Sequence, residues 1–279
     1  MIRTAFLGYS LIFMVNAAAA ATLDTIRQSG VIRIGYRTDA SPLSYANPAG
    51  LPSGYTVDLC KMVVRGLKSR LQMKKLKIMY VPVTAKNRFD MIQQRKVDLL
   101  CGVTTVTLSR REKVDFSVLI YFTGASVLVR AGGAASFKQL AGKKIGVVAG
   151  TTTERSLRAT IKADKINATI ITVKGHPDGL KALESGKINA YFSDRVILLG
   201  LIASSANPEK LRIAKRVLGP EPYALAMRHG DSKFRHAVDW TLSRIYRSPT
   251  IVRIHRKNFW GRNPSKGLQT LYLMNALPE

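Results

Sequence analysis

Hydrophobic residues recur along the chain in short β-branched runs that alternate with amphipathic stretches. In the first half, the pattern predicts strands at Val31–Gly35, Leu76–Val81 and Val97–Cys101. A helix that begins at Gly54 and a second helix at Arg88–Gln94 separate these strands. The alternating order predicts a mainly parallel sheet with helices on both faces.

The second half repeats this order. The predicted elements there are, in turn, the strand Lys144–Ala149, the helix Thr152–Ala163, the strand Ala168–Val173, the helix Pro177–Ser185 and the strand Ile188–Phe192. The segments Phe89–Gly102 and Leu180–Ser193 share a helix, a tight turn, a Lys and a strand. A chance likeness of two common helix–strand units is the alternative. Together with the matching order of elements, the repeat favours two lobes of similar topology.

Two further runs connect the predicted lobes. Ser117–Arg130 is too long for an ordinary strand of about 5–6 residues, so we interpret it as a strand that crosses between lobes. Pro220–Arg228 is the candidate for a second crossing. We predict an α/β protein of two lobes joined by two hinge crossings, with residues 22–122 plus 224–279 in lobe 1 and 123–223 in lobe 2. Ligands of open α/β sheets bind beyond the carboxyl ends of the strands, so a cleft between the lobes is the expected site.

We expect these aromatic residues in the core of lobe 1: Trp240, Tyr246, Phe259 and Trp260.

Residues 1–21 have the pattern of a secretion signal. Met1–Arg3 is a short positive region, Ala5–Val15 is apolar, and Ala17–Ala21 provides small residues for cleavage. The apolar run is shorter than the about 20 residues of a membrane span, which disfavours the alternative of a permanent anchor. We predict cleavage near Ala20 or Ala21 and export of a soluble mature protein.

The amino-acid composition of the chain bears on which partners it can bind. The chain has 44 Lys and Arg against 17 Asp and Glu, a net charge of +27, while 46% apolar residues exclude a disordered basic tail. A charge of this size suits nucleic acid, but an exported protein meets little of it, so we predict no nucleic-acid partner. The excess charge is open to two explanations: steering of anionic ligands, or attraction to anionic membrane headgroups.

The two cysteines, Cys60 and Cys101, are expected near the same end of the first sheet. An oxidising compartment permits a disulfide between them, and two buried free thiols are the alternative. Two Cys and four scattered His give no metal-ligand spacing, so we predict neither a metal nor a cofactor.

Polar and charged side chains follow the predicted strands where each strand ends. Three arginines with one aspartate, namely Arg37, Arg88, Arg110 and Asp194, suit a zwitterion with two carboxylates and one ammonium. The reason is that an Arg fork binds a carboxylate through two parallel hydrogen bonds. The turn Gly150–Thr153 at a helix start adds free backbone N–H groups for an anion.

The chain resembles the family 3 periplasmic solute-binding proteins of ABC transporters, and within them the glutamate/aspartate-binding group. The resemblance rests on these segments, in this order: TLDTIRQSGVIRIGYR, GYTVDL, VTAKNRFDMIQ, CGVTTVTLSRREKVDFS, AGTTTERSL, KGHPDGLKALESG and YFSDRVILLG. It runs from Thr22 nearly to the C-terminus. It implies a monomeric periplasmic protein that captures an acidic amino acid between its lobes and delivers it to an inner-membrane permease.

The resemblance also implies which residues hold the amino-acid end of the ligand. Thr105 and Arg110 match the pair that clamps the ligand α-carboxylate, and the amide of Thr152 helps from the opposite lobe. Asp194 matches the aspartate that takes the α-ammonium.

The distal carboxylate of the ligand is assigned by the same resemblance. Arg37 and Arg88 match the two arginines that hold it, and His176 matches an additional donor. Ala85 and Val103 stand where close members of the group have serines. Because Ala85 has no side-chain donor, the affinity or the preference between glutamate and aspartate is expected to differ.

The same residues have structural interpretations as well. Arg110 opens an RRE run typical of a solvated surface pair, and Arg88 can simply begin an amphipathic helix. His176 and Asp194 can cap the helices that follow them.

For the whole protein, the alternative is a dehydratase-type enzyme of aromatic amino-acid synthesis, which needs a general acid in the cleft. Because the cleft-lining set is mostly basic or hydroxylic, we predict binding without catalysis.

Overall fold

The structure is a computed structural model and describes residues 21–134 and 136–278. The predicted signal peptide lies outside these residues, except for Ala21. The strands are β1 (Val31–Arg37), β2 (Asp39–Ala40), β3 (Ser44–Ala46), β4 (Pro52–Ser53), β5 (Lys77–Val83), β6 (Leu99–Leu100), β7 (Val114–Arg130), β8 (Lys144–Val148), β9 (Thr169–Val173), β10 (Ala190–Asp194), β11 (Leu211–Ile213) and β12 (Leu218–Arg228).

The helices follow the predicted order. They are α1 (Thr22–Ser29), α2 (Tyr55–Arg70), α3 (Arg88–Gln93), α4 (Leu108–Arg111), α5 (Thr152–Ala163), α6 (His176–Glu184), α7 (Arg195–Ser204), α8 (Ser232–Tyr246), α9 (Thr250–Asn258) and α10 (Lys266–Asn275), with short 3-10 turns at Lys138–Leu140 and Pro208–Lys210. None of the helices in the described ranges is long and apolar enough to cross a membrane.

Within the described residues, nine strands form one sheet in the order β5-β1-β6-β12-β7-β10-β8-β9, with β11 also paired to β7. At one end β5, β1 and β6 run parallel, and at the other end β10, β8 and β9 run parallel. The central strands β7 and β12 are antiparallel to each other, and both extend from one parallel group to the other. The two-lobed fold with two crossings is therefore confirmed, with the crossing strands shared by both lobes.

Helices cover both faces of the sheet because the pleat sends alternate side chains to opposite sides. On β7, Val127 and Val129 pack in one cluster with Leu157 of α5. Leu128, between them, packs on the other face in a cluster with Ile197 of α7. The predicted arrangement of helices on both faces follows from this alternation.

Cys60 of α2 and Cys101, the residue after β6, form a disulfide with their Cα atoms 6.3 Å apart. Of the two possibilities that the sequence left open, the structure has the bridge rather than two thiols. It joins α2 to the strand end that leads into the cleft.

The aromatic residues near the C-terminus are only partly placed as expected. Tyr246 and Phe259 are buried in the core of lobe 1, and Trp240 is half-buried. Our expectation for Trp260 is wrong, because its side chain is 52% exposed. Trp260 lies in the turn after α9 has ended at Asn258, where a positive φ of 51° takes the backbone away from the helical path.

Candidate functional site

A cavity of about 20 Å³ lies between the lobes, and all seven predicted ligand-binding residues line it. Its lining residues are Arg37, Arg88, Val103, Thr105, Arg110, Thr151, Thr152, Thr153, His176 and Asp194. Arg37 and Asp194 are the last residues of β1 and β10, and Thr152 and His176 are the first residues of α5 and α6. The strand ends and helix starts of both lobes thus meet at one place, as the parallel sheets predict.

Arg88 is 1% exposed and carries a buried guanidinium. Its Nη1 atom donates to the carbonyl oxygen of Ala85, and the guanidinium lies 4.7 Å from the centre of the Phe89 ring. Its Nε atom is buried and has no hydrogen-bond partner among the described residues. Burial, followed by the neighbouring charges of Arg110 and Arg37, lowers the pKa of Arg88 well below its usual range. A carboxylate at this position would supply both a partner and a counter-charge.

Arg110 is also buried, which argues against the solvated surface pair that its RRE context suggests. Its Nη1 atom donates to the carbonyl oxygen of Thr105 at 2.7 Å, and its guanidinium faces Phe89 from 5.3 Å. Burial and the positive charge of Arg155 lower its pKa to about 10. No carboxylate of the described residues lies within ion-pair distance of Arg110 or Arg88.

Thr105 and Thr152 meet across the cleft. Their hydroxyl oxygens lie 3.2 Å apart, and both hydroxyls donate to the Oε2 atom of Glu221, with Thr152 at 2.8 Å. Glu221 lies on the crossing strand β12 and is 4% exposed. One carboxylate of the hinge region therefore holds a residue from each lobe.

Asp194 ends β10, and its carboxylate is buried at the base of the cleft. The Tyr223 hydroxyl donates to its Oδ2 atom at 2.5 Å, whereas Oδ1 is buried without a partner among the described residues. Burial, and next the negative charge of Glu221, raise the pKa of Asp194 to about 7. Asp194 occupies the N-cap position of α7, yet its side chain makes no capping hydrogen bond there. Its free oxygen is therefore available to a ligand rather than used by the helix.

Arg37 is held by a carboxylate that the sequence pattern did not single out. Its Nε and Nη2 atoms donate to Oδ1 and Oδ2 of Asp39, each at 2.8 Å. The backbone N–H of His176, from the opposite lobe, donates to the same Asp39 Oδ2 atom at 3.3 Å. A hydrogen bond from the opposite lobe thus connects to this ion pair across the cleft.

His176 is buried and neutral. Burial, followed by the positive charge of Arg37, lowers its pKa to about 4. Its Nδ1 atom shares a hydrogen bond of 2.8 Å with the Tyr191 hydroxyl. Gly175, rather than His176, occupies the N-cap of α6, and the imidazole does not cap the helix. His176 can offer a ligand hydrogen bonds but no positive charge near neutral pH.

The net charge of the site differs from the expectation of three arginines with one aspartate. Asp39 and Glu221 join Asp194, so the site holds three carboxylates beside its three arginines, although only Arg37 has a carboxylate of the described chain within ion-pair distance. In the sequence, Asp39 lies two residues after Arg37, and Glu221 lies between two prolines inside the predicted crossing strand. Glu221 could have been identified from the sequence as a lone acidic residue in an apolar crossing segment. Within the described ranges, no group of three or more His, Cys, Asp or Glu is arranged to hold a metal ion.

Comparison with known proteins agrees with this fold. Residues 32–261 match the bacterial extracellular solute-binding proteins of family 3, and the chain belongs to that family. The L-glutamate/L-aspartate-binding protein of Pseudomonas aeruginosa is 34% identical over 256 residues, which cover 91% of this chain and 85% of that protein. The glutamate/aspartate import solute-binding protein of Escherichia coli K12 is 32% identical over 248 residues, which cover 88% and 82%.

A solved structure shows the same architecture. The ancestral amino acid-binding protein AncCDT-1, a precursor of cyclohexadienyl dehydratase, matches with a TM-score of 0.75 and 26% identity over 86% of this chain and all of that one. The protein is an amino-acid solute-binding protein of the ABC-transporter type. Its curated relatives are solute-binding proteins and not enzymes, so the dehydratase alternative is not favoured.

Proposed function

We propose that this protein binds an acidic amino acid, L-glutamate or L-aspartate, in the periplasm and delivers it to an inner-membrane ABC permease. It would be exported through the signal peptide at residues 1–21 and act as a monomer. The names of the two curated relatives support the choice of ligand. The observation on which the proposal rests is a pair of buried guanidiniums without carboxylate partners among the described residues.

The two arginines provide places for two carboxylates. Arg88 and Arg110 are both at least nine-tenths buried, and both contact backbone carbonyl oxygens but no carboxylate of the described chain. An unpaired buried charge costs several kcal/mol, and a ligand carboxylate beside each arginine removes that cost. We assign the α-carboxylate to Arg110 with Thr105 and the Thr152 amide. We assign the distal carboxylate to Arg88, with Arg37 and His176 as additional donors.

Asp194 provides the place for the ammonium. Its buried Oδ1 atom is free, and no cation of the described residues lies within ion-pair distance of the carboxylate. An α-ammonium at this point would supply the missing donor and charge. Two arginines and one such carboxylate match the three charged groups of a dicarboxylic amino acid.

We also propose the lobe boundaries given above, residues 22–122 with 224–279 and residues 123–223. The pairing of Thr123 of β7 with Glu221 of β12, close to the ends of both proposed segments, supports these boundaries. Closure of one lobe on the other would rotate the chain at this pair of strands, because each lobe holds only part of the ligand's partners.

A thermal-unfolding screen tests the proposed ligand. Protein freed of bound solute by unfolding, dialysis and refolding would be heated with each of the common amino acids in turn. A ligand present at 100 times its Kd stabilises the fold by about 2.7 kcal/mol, so glutamate or aspartate should raise Tm most. A larger rise with a neutral or cationic amino acid would refute the acidic assignment.

A further inference from the structure

Asp39 occupies an anion position that the two lobes build together. From lobe 1, the Arg37 fork donates two hydrogen bonds of 2.8 Å to the Asp39 carboxylate. From lobe 2, the backbone N–H of His176, the first residue of α6, donates to it at 3.3 Å. A guanidinium fork facing a helix N-terminus is an arrangement that binds carboxylates well. Here the carboxylate that fills it belongs to the chain itself.

The opposite lobe is shaped around this carboxylate. Gly175 lies directly before His176, and a Cβ atom at residue 175 would stand 2.9 Å from Asp39 Oδ2. Any other residue there would push the aspartate away or hold the lobes apart. Although burial acts to raise the pKa of Asp39, the charge of Arg37 and the hydrogen bonds from the Arg37 side chain and the His176 backbone N–H lower it below its usual value. The aspartate is therefore ionised and well held across the cleft.

The lobes also approach each other closely on the same side of the cleft. At Gly200 of α7, a Cβ atom would lie only 2.3 Å from the carbonyl oxygen of Ser41, two residues beyond Asp39. The turn that carries Asp39 is thus packed directly on the second lobe. The cavity left among the site residues measures about 20 Å³, close to the space of a single water.

We infer that Asp39 is a tethered competitor for the ligand's distal carboxylate and a latch that holds the lobes together before ligand arrives. This inference rests on the proposed function for the identity of the ligand. A second carboxylate that approaches Arg37 must displace Asp39 or share the guanidinium with it. The apparent affinity for an acidic ligand is the intrinsic affinity multiplied by the fraction of the protein that is not latched. A ligand with an uncharged amide end gains little from Arg37 and is less affected.

Asp39→Asn and Asp39→Ala test the competition. Asn keeps the shape and removes the charge, whereas Ala removes the side chain. Both variants should bind glutamate and aspartate more tightly than the parent protein, by about tenfold, which is the scale of one hydrogen bond to a charged group. Glutamine affinity should change by much less. Isothermal titration at constant pH and salt measures all three ligands.

Asp178→Asn is the matched control. Asp178 lies in the first turn of the same helix α6 and is exposed, so this variant makes the same charge change without touching Arg37. Its glutamate affinity should stay close to that of the parent. Equal tightening in the control would show a general charge effect and overturn the inference. Weaker glutamate binding in the Asp39 variants would make Asp39 a positioning residue for Arg37 and would also overturn it.

The latch has a readout that does not depend on the ligand. Small-angle X-ray scattering of solute-free protein should give a larger radius of gyration for Asp39→Asn than for the parent and for Asp178→Asn. Identical scattering of all three would overturn the latch. If no variant bound glutamate or aspartate, the proposed function would fail, and the scattering difference would still decide whether Asp39 holds the lobes together.

Discussion

The hydroxyl oxygens of Thr105 and Thr152 lie 3.2 Å apart, one from each lobe. Both hydroxyls donate to the same carboxylate oxygen of Glu221, which lies on the crossing strand β12. The carboxylate of Glu221 therefore connects the contact between the two lobes to the hinge region. A ligand carboxylate that takes the Thr105 hydroxyl changes a contact that is shared by both lobes and the hinge. Under the proposed ligand assignment, binding would be coupled to closure at this point.

Arg88→Ala should weaken acidic ligands selectively. The variant removes the buried guanidinium assigned to the distal carboxylate, and a hydrogen bond to a charged group is worth about 1.5–3 kcal/mol. Glutamate and aspartate should lose about ten- to a hundredfold in affinity, whereas glutamine should lose much less. Titration of the three ligands measures this difference. Lys86→Ala, two residues earlier and exposed, is the control and should leave all affinities in place.

Arg110→Ala should abolish binding of every amino acid, because all of them carry the α-carboxylate assigned to this side chain. The exposed neighbour on α4 provides the control, and Arg111→Ala should bind like the parent protein. Equal losses for all ligands in both the Arg88 and the Arg110 variants would contradict the separate roles that we assign to the two arginines.

Affinity should fall as the pH falls below about 7. The pKa of Asp194 is raised to about 7, first by burial and then by Glu221, so the carboxyl is partly protonated near neutrality. A bound ammonium favours the ionised carboxylate of Asp194 and lowers its pKa. At any pH at which Asp194 is protonated before binding, binding must therefore release a proton. The dissociation constant should then rise on acidification, by at most about tenfold per pH unit.

Titrations between pH 5.5 and 8, in buffers of different ionisation enthalpy, measure the affinity and the released protons together. Glu221→Gln should shift the loss of affinity to lower pH, because it removes the negative neighbour that raises the pKa of Asp194. An affinity that is constant over this range, with no proton release, would contradict the assigned role of Asp194.

The sequence predicted the fold well, and it predicted which residues the structure brings together between the lobes, because both follow from local patterns. Strand-and-helix alternation gave the two lobes, and residues at strand ends, such as Arg37 and Asp194, had to face the cleft. The partners of these residues were not predictable in the same way. Asp39 meets His176, which is 137 positions away, and Glu221 meets Thr105 from 116 positions away. Which charges meet at such separations depends on how the lobes approach each other.

The disulfide was likewise left open by the sequence, since sharing one end of a sheet does not determine whether two sulfurs touch. The bridge between Cys60 and Cys101 spans 41 residues, and a bridge of this kind stabilises a fold by about 2–4 kcal/mol. Urea unfolding with a thiol reductant should therefore show a lower midpoint than unfolding without it. The Cys60→Ser, Cys101→Ser double variant should unfold at this lower urea midpoint both with and without the reductant. A midpoint insensitive to reductant in the parent protein would contradict a stabilising bridge.

The ratio of the dissociation constants for L-glutamine and L-glutamate tests the central claim most directly. It should be measured by isothermal titration of the refolded, solute-free protein at pH 7.5, with L-aspartate as the second acidic ligand. We predict that glutamate or aspartate binds at least about tenfold more tightly than glutamine, because Arg88 needs a carboxylate that the amide does not supply. Glutamine binding as tight as or tighter than that of both acidic amino acids would contradict the account.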